Sequence, residues 1–132
     1  MSVAPYLFFD GRAEEAIAFY SDNVGATTNS LMRFKECPEG QCAPGSEDKV
    51  MHADVTIGGS QVLLSDGFNR GQPNFQGFGL AVTAKSEAET DKMFNALAVG
   101  GAVDMPLAKT FFSPRFGMLT DKFGVKWMIM TQ

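Results

Sequence analysis

The stretch VMHADVTIGGSQVLLSD, residues 50–66, carries the clearest structural signal in the chain. Apolar and polar residues alternate on either side of Gly58-Gly59, a pattern typical of two antiparallel strands joined by a two-residue turn. The two-residue turn places Ile57 opposite Ser60, and the pairing continues outward along both strands. Residues that lie opposite each other in a hairpin share one side of the sheet. One side is mostly polar and holds His52, Asp54, Thr56, Gln61, Leu63 and Ser65. The other is apolar, is predicted to pack on a helix, and holds Met51, Ala53, Val55, Ile57, Val62 and Leu64.

Further elements are predicted upstream of this hairpin. Residues 4–9 and 27–34 have the composition of strands, and residues 12–23 between them have the apolar spacing of a helix that ends at Gly25. Residues 36–49 are rich in Pro, Gly and charge without periodicity, which indicates a long loop. The first half of the chain is therefore predicted to be β-α-β-β-β.

The second half repeats this order. Ser86 followed by Glu89 forms a capping box, which opens a helix that reaches about residue 99. Strands are predicted at residues 77–84, 102–110, 114–120 and 125–131. An offset of 75 residues places Glu14 on Glu89, Phe19 on Phe94 and Gly25 on Gly100. The prediction is one α+β domain, residues 1–132, built of two tandem βαβββ modules at about 1–66 and 76–132.

Composition excludes several classes of protein. The 132 residues are 45% hydrophobic, which is too apolar for a disordered chain, and the net charge of −4 argues against nucleic acid or an anionic membrane as a partner. No apolar run reaches the ~20 residues of a membrane span, and the first residues lack a basic leader, so we expect a cytoplasmic protein. Cys37 and Cys42 lack the further ligands of a zinc site and are interpreted as loop thiols.

Several segments together are similar to a known family: PYLFF at residues 5–9, EEA at 14–16 with Phe19-Tyr20, MHA at 51–53 with Gly58-Gly59, Ser65-Asp66, and DKFGVKW at 121–127. With the double βαβββ order, they resemble the PhnB-like branch of the vicinal oxygen chelate superfamily, which includes glyoxalase I, extradiol dioxygenases and bleomycin-resistance proteins. The resemblance implies mixed sheets that curl into an open half-barrel, with one helix per module on the convex side and a cleft on the concave side.

The resemblance also implies four positions where superfamily enzymes hold a divalent metal. These positions correspond here to Pro5 (or Ala4), Leu63, Gly79 and Met128. None is an oxygen or imidazole ligand of the kind that hard divalent cations require. We therefore expect no metal and no other cofactor; in particular, no glycine-rich fingerprint for S-adenosylmethionine is visible.

The concave side is expected to hold the functional residues. If residues 121–124 form a four-residue loop, Met118 lies opposite Trp127 and Phe116 opposite Ile129 on the helix side. The residues predicted to face the cleft are then Arg115, Gly117, Leu119, Lys126, Met128 and Met130. The sides of Tyr6 and Phe8 remain open, because the internal repeat makes them concave whereas the superfamily alignment makes Pro5, Leu7 and Phe9 concave. Phe68 and Phe75 could form a lid or a dimer contact.

Three interpretations of function stay open at this point. The favoured one is a metal-free homodimer whose cleft binds a small amphipathic molecule, with anions among the candidates because of the cationic side chains. The candidate ligand-binding residues are His52, Asp54, Ser65, Arg115, Lys126, Met128, Tyr6 and Phe75. His52 is the best catalytic candidate, since histidine can transfer protons, although it could equally be bonded to Asp54, Ser65 or Asp66. The alternatives are a metal-dependent glyoxalase- or dioxygenase-type enzyme and the ubiquinone-methyltransferase label attached to some family members.

Overall fold

Two copies of one arrangement of strands and a helix follow each other in the computed structural model, which describes residues 1–36, 47–67 and 73–132. The copies lie in separate compact units, residues 1–73 and residues 74–132. Cys37, Cys42, Phe68 and most of the predicted loop at 36–49 lie outside the described residues.

The first unit holds one helix and a four-stranded mixed sheet. Its elements are β1 (Tyr6–Phe8), α1 (Ala13–Val24), β2 (Thr27–Arg33), a short 3-10 helix (Phe34–Glu36), β3 (Val50–Ile57) and β4 (Ser60–Ser65). The strand order is β1-β4-β3-β2, in which β1 is parallel to β4 and the other neighbours are antiparallel. Strands β1 and β2 therefore form the two edges.

The second unit has the same topology. Its elements are β5 (Leu80–Ala84), α2 (Glu87–Ala98), β6 (Ala102–Ala108), β7 (Phe116–Thr120) and β8 (Lys126–Thr131). The strand order is β5-β8-β7-β6, and β5 is parallel to β8. Neither sheet closes on itself. The predicted α+β fold of two tandem βαβββ modules is confirmed.

Both helices bury one face and end where the sequence predicts. Helix α1 buries Ala13, Ala16, Ile17 and Tyr20, and Gly25 ends it in the left-handed conformation at φ 68°. The Ser86 side chain accepts a hydrogen bond from the backbone N–H of Glu89 at 3.2 Å, so Ser86 is the N-cap of α2, as predicted. Neither helix in the described part of the chain is long and apolar enough to span a lipid bilayer.

The core of each unit lies between its helix and one side of its sheet. In the first unit the fully or nearly buried strand residues are Leu7, Val50, Ala53, Val55, Ile57, Val62 and Leu64. In the second they are Ala84, Leu119, Trp127 and Ile129, which share their buried environment with Leu97 and Phe94 of α2. The opposite side of each sheet is more exposed, although Ser65 and Phe116 are buried there, and it holds most of the candidate site residues.

The first hairpin has the predicted register. Gly58 and Gly59 have φ angles of 57° and 83°, the positive values that a two-residue turn of this kind requires, and Ile57 pairs with Ser60. At the other end of β3, Met32 pairs with His52 while the next residue, Arg33, pairs with Val50. Met51 is thus the extra residue of a bulge, and Val50, at 0% exposure, takes the buried place expected for Met51.

The second hairpin differs from its prediction by one residue. Leu119 pairs with Trp127 and Met118 with Met128, so the prediction that Met118 lies opposite Trp127 is wrong. The backbone N–H of Asp121 donates to Val125 O at 2.9 Å, which leaves a three-residue loop closed by Gly124 at φ 92°. Since side chains alternate along a strand, a slip of one residue exchanges the two sides of β7.

This exchange corrects the predicted lining of the second unit. The side of β7 that faces Lys126, Met128 and Met130 consists of Phe116, Met118 and Thr120. Gly117 and Leu119 instead face α2, and a Cβ added to Gly117 would lie 2.7 Å from Cε2 of Phe94. The predictions that Arg115, Gly117 and Leu119 share the side of Lys126 are therefore wrong, whereas Lys126, Met128 and Met130 do lie together.

Candidate functional site

A tyrosine and the single histidine meet on the partly exposed side of the first sheet. Tyr6 on edge strand β1 pairs with Leu63 of β4, and its hydroxyl reaches across β4 to Nδ1 of His52 on β3 at 2.8 Å. The two rings are 5.7 Å apart at their centroids. This contact decides the side of Tyr6, which the sequence left open. It also gives His52 a different hydrogen-bond partner from Asp54, Ser65 or Asp66, the partners considered for a structural histidine.

The Tyr6 ring has apolar surroundings and a protonated hydroxyl. It stacks on Phe8 with centroids 4.7 Å apart, so Phe8 lies on the same side of the sheet. Burial raises the pKa of the Tyr6 hydroxyl, and the hydroxyl of Ser65 offsets part of this effect. Tyr6 is nevertheless 37% exposed, so the tyrosine–histidine pair is accessible from solvent.

Asp54 lies at the centre of a group of polar side chains beside this pair. Its carboxylate accepts from Gln61 Nε2 at 2.8 Å and from Asn29 Nδ2 at 3.1 Å, and Asn29 Nδ2 also approaches Thr56 Oγ1 at 2.9 Å. The bonds from Gln61 and Asn29 lower the pKa of Asp54, and the nearby His52 lowers it further. Asp54 is thus held ionised. Asn29 was missed from the sequence because a bulge in β2 brings it over β3.

Ser65 and Asp66 organise the backbone at the end of β4. Ser65 is only 2% exposed; its hydroxyl donates to Met51 O at 2.7 Å and accepts from the N–H of Gly67 at 2.9 Å. The Asp66 carboxylate accepts from the backbone N–H groups of Gly11, Ala13 and Val50 at 2.8–3.1 Å. Both residues fix the strand next to the tyrosine–histidine pair, so their hydrogen bonds are structural.

In the second unit, Lys126 and Met128 lie on the partly exposed side of the sheet, as predicted. The Lys126 ammonium approaches Thr120 Oγ1 at 3.5 Å, and the Thr120 hydroxyl in turn donates to the carboxylate of Asp104 at 2.7 Å. Met128 pairs directly with Met118, which pairs with Met105 on the edge strand β6. Three methionines thus form a row across β6, β7 and β8.

Arg115 and Phe75 take other roles than the predicted one. Arg115 forms an ion pair with Asp91 of α2, so its guanidinium ties the start of β7 to the helix. Phe75 is 7% exposed and its ring meets Phe78 edge-on with centroids 6.5 Å apart. A side chain this buried is part of the packed interior of the second unit.

The side chains at the positions that the family resemblance implies for a metal do not fit a hard divalent cation. Leu63 and Met128 are confirmed on the partly exposed sides of their sheets, and the residues of β1 that share the side of Leu63 are Tyr6 and Phe8. The leucine, methionine, phenylalanine and tyrosine side chains at these positions supply no carboxylate or imidazole. Within residues 1–36, 47–67 and 73–132, no three His, Cys, Asp or Glu side chains come together as a possible metal site.

Comparison with known proteins places this geometry in a family. A family model described as 3-demethylubiquinone-9 3-methyltransferase matches residues 1–130. The chain is also 35% identical to Protein YjdN of Escherichia coli K12, with 98% of this chain and 94% of that protein covered.

Solved structures agree with this assignment. The protein PA1353 from Pseudomonas aeruginosa is 36% identical with a TM-score of 0.88, over 100% of this chain and 98% of that one. A PhnB protein from Bacillus cereus is 34% identical with a TM-score of 0.84, over the full length of both chains. More distant structures, among them a glyoxylase/bleomycin resistance/dioxygenase domain at 14% identity and a TM-score of 0.66, share the fold alone.

Proposed function

The chain belongs to the PhnB-like family of the vicinal oxygen chelate superfamily, whose model is described as 3-demethylubiquinone-9 3-methyltransferase, and on this basis we propose that it binds a small amphipathic anion without a metal. The proposed role is binding or sequestration by a homodimer. The observation that carries the proposal is the accessible Tyr6–His52 pair, which offers hydrogen-bonding groups at the border of an apolar and a polar surface.

The surroundings of the pair support an amphipathic ligand. Phe8 and Leu63 provide apolar surface next to Tyr6, and the carboxylate of Asp54 is already bonded to two side-chain amides. Within the described residues, Nε2 of His52 has no hydrogen-bond partner, so it is available to a ligand. A ligand anion would take a hydrogen bond from the imidazole while its apolar part covers the aromatic rings.

The side chains at the positions where superfamily enzymes hold a metal support ligand binding without a metal. Superfamily enzymes polarise their substrates with a divalent cation, and the matching positions here carry Leu63, Met128 and the aromatic residues of β1. Tyr6 and His52 remain the groups that could contact or orient a ligand.

A titration experiment tests the proposal with decanoate as the probe. Wild type should bind decanoate, and His52→Ala should weaken binding roughly tenfold to a hundredfold because a charge-assisted hydrogen bond is lost. Tyr6→Phe keeps the stacked ring and should have a smaller effect. The matched control is Lys85→Ala, which changes an exposed residue before α2 and should leave the affinity unchanged.

The family description suggests methyl transfer, and the same experiment can separate the two functions. S-adenosylmethionine is titrated in parallel with decanoate into wild type and His52→Ala. Binding of decanoate that depends on His52, without binding of S-adenosylmethionine, supports the proposal. Tight binding of S-adenosylmethionine, or decanoate binding that His52→Ala leaves unchanged, would show that the proposal is wrong.

A further inference from the structure

A row of methionine side chains crosses the partly exposed side of the second sheet. Met105, Met118 and Met128 are direct neighbours on β6, β7 and β8, and Met128 pairs on its other side with Ala81 of β5. Met105 is 44% exposed, Met118 and Met128 are half-buried, and Ala81 is small and exposed. The row therefore places three adjacent thioethers next to a small side chain on the partly exposed side of the sheet.

Thioether side chains favour one kind of apolar ligand. Methionine is unbranched and polarisable, so it adapts its shape to a ligand, and its sulfur makes favourable contacts with aromatic rings. An aliphatic chain on such a surface is stabilised only by the general free energy of burying apolar area. A surface of adjacent thioethers therefore selects an aromatic group over an aliphatic one.

A cation lies on the same side of the sheet, two residues from Met128. Lys126 pairs with Thr120, and its ammonium contacts the neutral Thr120 hydroxyl. Asp104 is the acidic neighbour, but the Thr120 hydroxyl lies between its carboxylate and the lysine. Within the described residues, Lys126 has no ion pair within 4 Å, so its charge is available to an anion.

From these contacts we propose that the second unit binds a small aromatic anion, with the ring on Met118 and Met128 and the negative charge at Lys126. The inference goes beyond the proposed function, because it adds a site on the second unit and identifies the ligand of that site as aromatic. An aliphatic anion of similar size is the competing occupant that the test must distinguish.

The test follows the NMR signals of the methionine methyl groups in the wild-type protein. The chain has eight methionines, so methyl-labelled protein gives a small set of NMR signals that single Met→Leu variants can assign. Titration with 2-naphthoate should move the signals of Met118 and Met128 upfield, since methyl groups above an aromatic ring are shielded. Met93 is the control, because it lies on α2 beneath the other side of the sheet and should not move.

Affinities of two probes then separate this inference from the proposed function. Met118→Leu should weaken 2-naphthoate binding roughly two- to tenfold and leave decanoate binding unchanged, because only the sulfur–aromatic contact is lost. Lys126→Gln should weaken 2-naphthoate binding about tenfold and leave decanoate binding unchanged. If decanoate binds while 2-naphthoate leaves Met118 and Met128 unmoved, the aromatic site is wrong and the proposed function stands. If neither anion binds, the proposed function is wrong as well.

Discussion

Hydrogen bonds from two neighbouring side-chain amides lower the pKa of the Asp54 carboxyl. Gln61 and then Asn29 donate hydrogen bonds to it, which lowers its pKa below the ordinary value of 3.8. Because the folded-state pKa is depressed, the resulting stabilisation is present above the ordinary value and is lost as the pH falls through the folded-state pKa. The two amide hydrogen bonds to Asp54 are therefore expected to persist at pH 3.8, where an ordinary aspartate is half protonated, and to be lost only at lower pH.

Removal of one amide tests this account of Asp54. Gln61→Leu should raise the pKa of Asp54 toward 3.8, because the first of its two hydrogen-bond donors is lost. The measurement is an NMR titration of the side-chain carboxyl carbon. An unchanged Asp54 titration would mean that the observed Gln61 contact is not formed in solution.

Asp121 is a second carboxylate whose hydrogen bonds determine local structure. One oxygen accepts from the backbone N–H groups of Phe123 and Val125, and the other accepts from Nε1 of Trp127 at 2.9 Å. Asp121→Asn should lower the free energy of unfolding by about 2–4 kcal/mol, since the amide presents a donor to the indole N–H in a buried site. Asp22→Asn on exposed α1 is the matched control.

Trp127 is the only tryptophan, so its fluorescence reports directly on this site. Urea unfolding followed at the tryptophan emission gives the stability of both variants. Equal stability of Asp121→Asn and wild type would contradict the assigned role.

At the scale of elements, the register of the first hairpin could be predicted from the sequence, whereas the register of the second could not. Gly58-Gly59 are two adjacent glycines between alternating strands, and this local pattern admits one turn. The motif at residues 121–124 admits either a four-residue loop or a strand end followed by a three-residue loop. The choice depends on the Asp121 carboxylate, which bonds to Val125 and Trp127 beyond the turn. Tertiary bonds of this kind leave no periodic signal in the sequence.

Gly117 provides the prediction that tests the corrected register of β7. A Cβ there would lie 2.7 Å from Phe94 Cε2 and 2.9 Å from Leu107 Cδ2, so Gly117→Ala should destabilise the protein by about 1–3 kcal/mol through overpacking. Thermal unfolding measures the change. The double variant Gly117→Ala/Phe94→Leu should be less destabilised than the sum of the single variants, because the smaller side chain makes room. Full tolerance of Gly117→Ala would instead place Gly117 on the open side of the sheet.

At the scale of the whole molecule, the order of elements was predictable and the composition of the site was only partly so. Helical and strand periodicities repeat in both halves, and each helix has a distinct terminator, so the double βαβββ order follows from local signals. The contact of Tyr6 with His52 joins residues 46 positions apart across an intervening strand. The sequence placed His52 on the correct side, but the parallel pairing of β1 with β4 was needed to decide the side of Tyr6.

Edge strands lead to a prediction about assembly. Strands β1 and β2 are edges in the first unit, and β5 and β6 are edges in the second, so each open sheet presents backbone groups to a partner. We expect a homodimer, since closed pairs are the commonest arrangement that covers such edges. Sedimentation equilibrium should give a mass near twice 14.3 kDa. A mass of 14.3 kDa at micromolar concentration would contradict this expectation.

Binding of an anion without a metal is the central claim, and native mass spectrometry combined with elemental analysis of the purified protein tests it most directly. The account predicts a dimer without a stoichiometric divalent metal, together with a co-purified small anion that His52→Ala protein retains less well. A stoichiometric divalent metal in wild type, retained in His52→Ala and bound in place of a small molecule, would contradict the account and favour a metal-dependent enzyme of the superfamily.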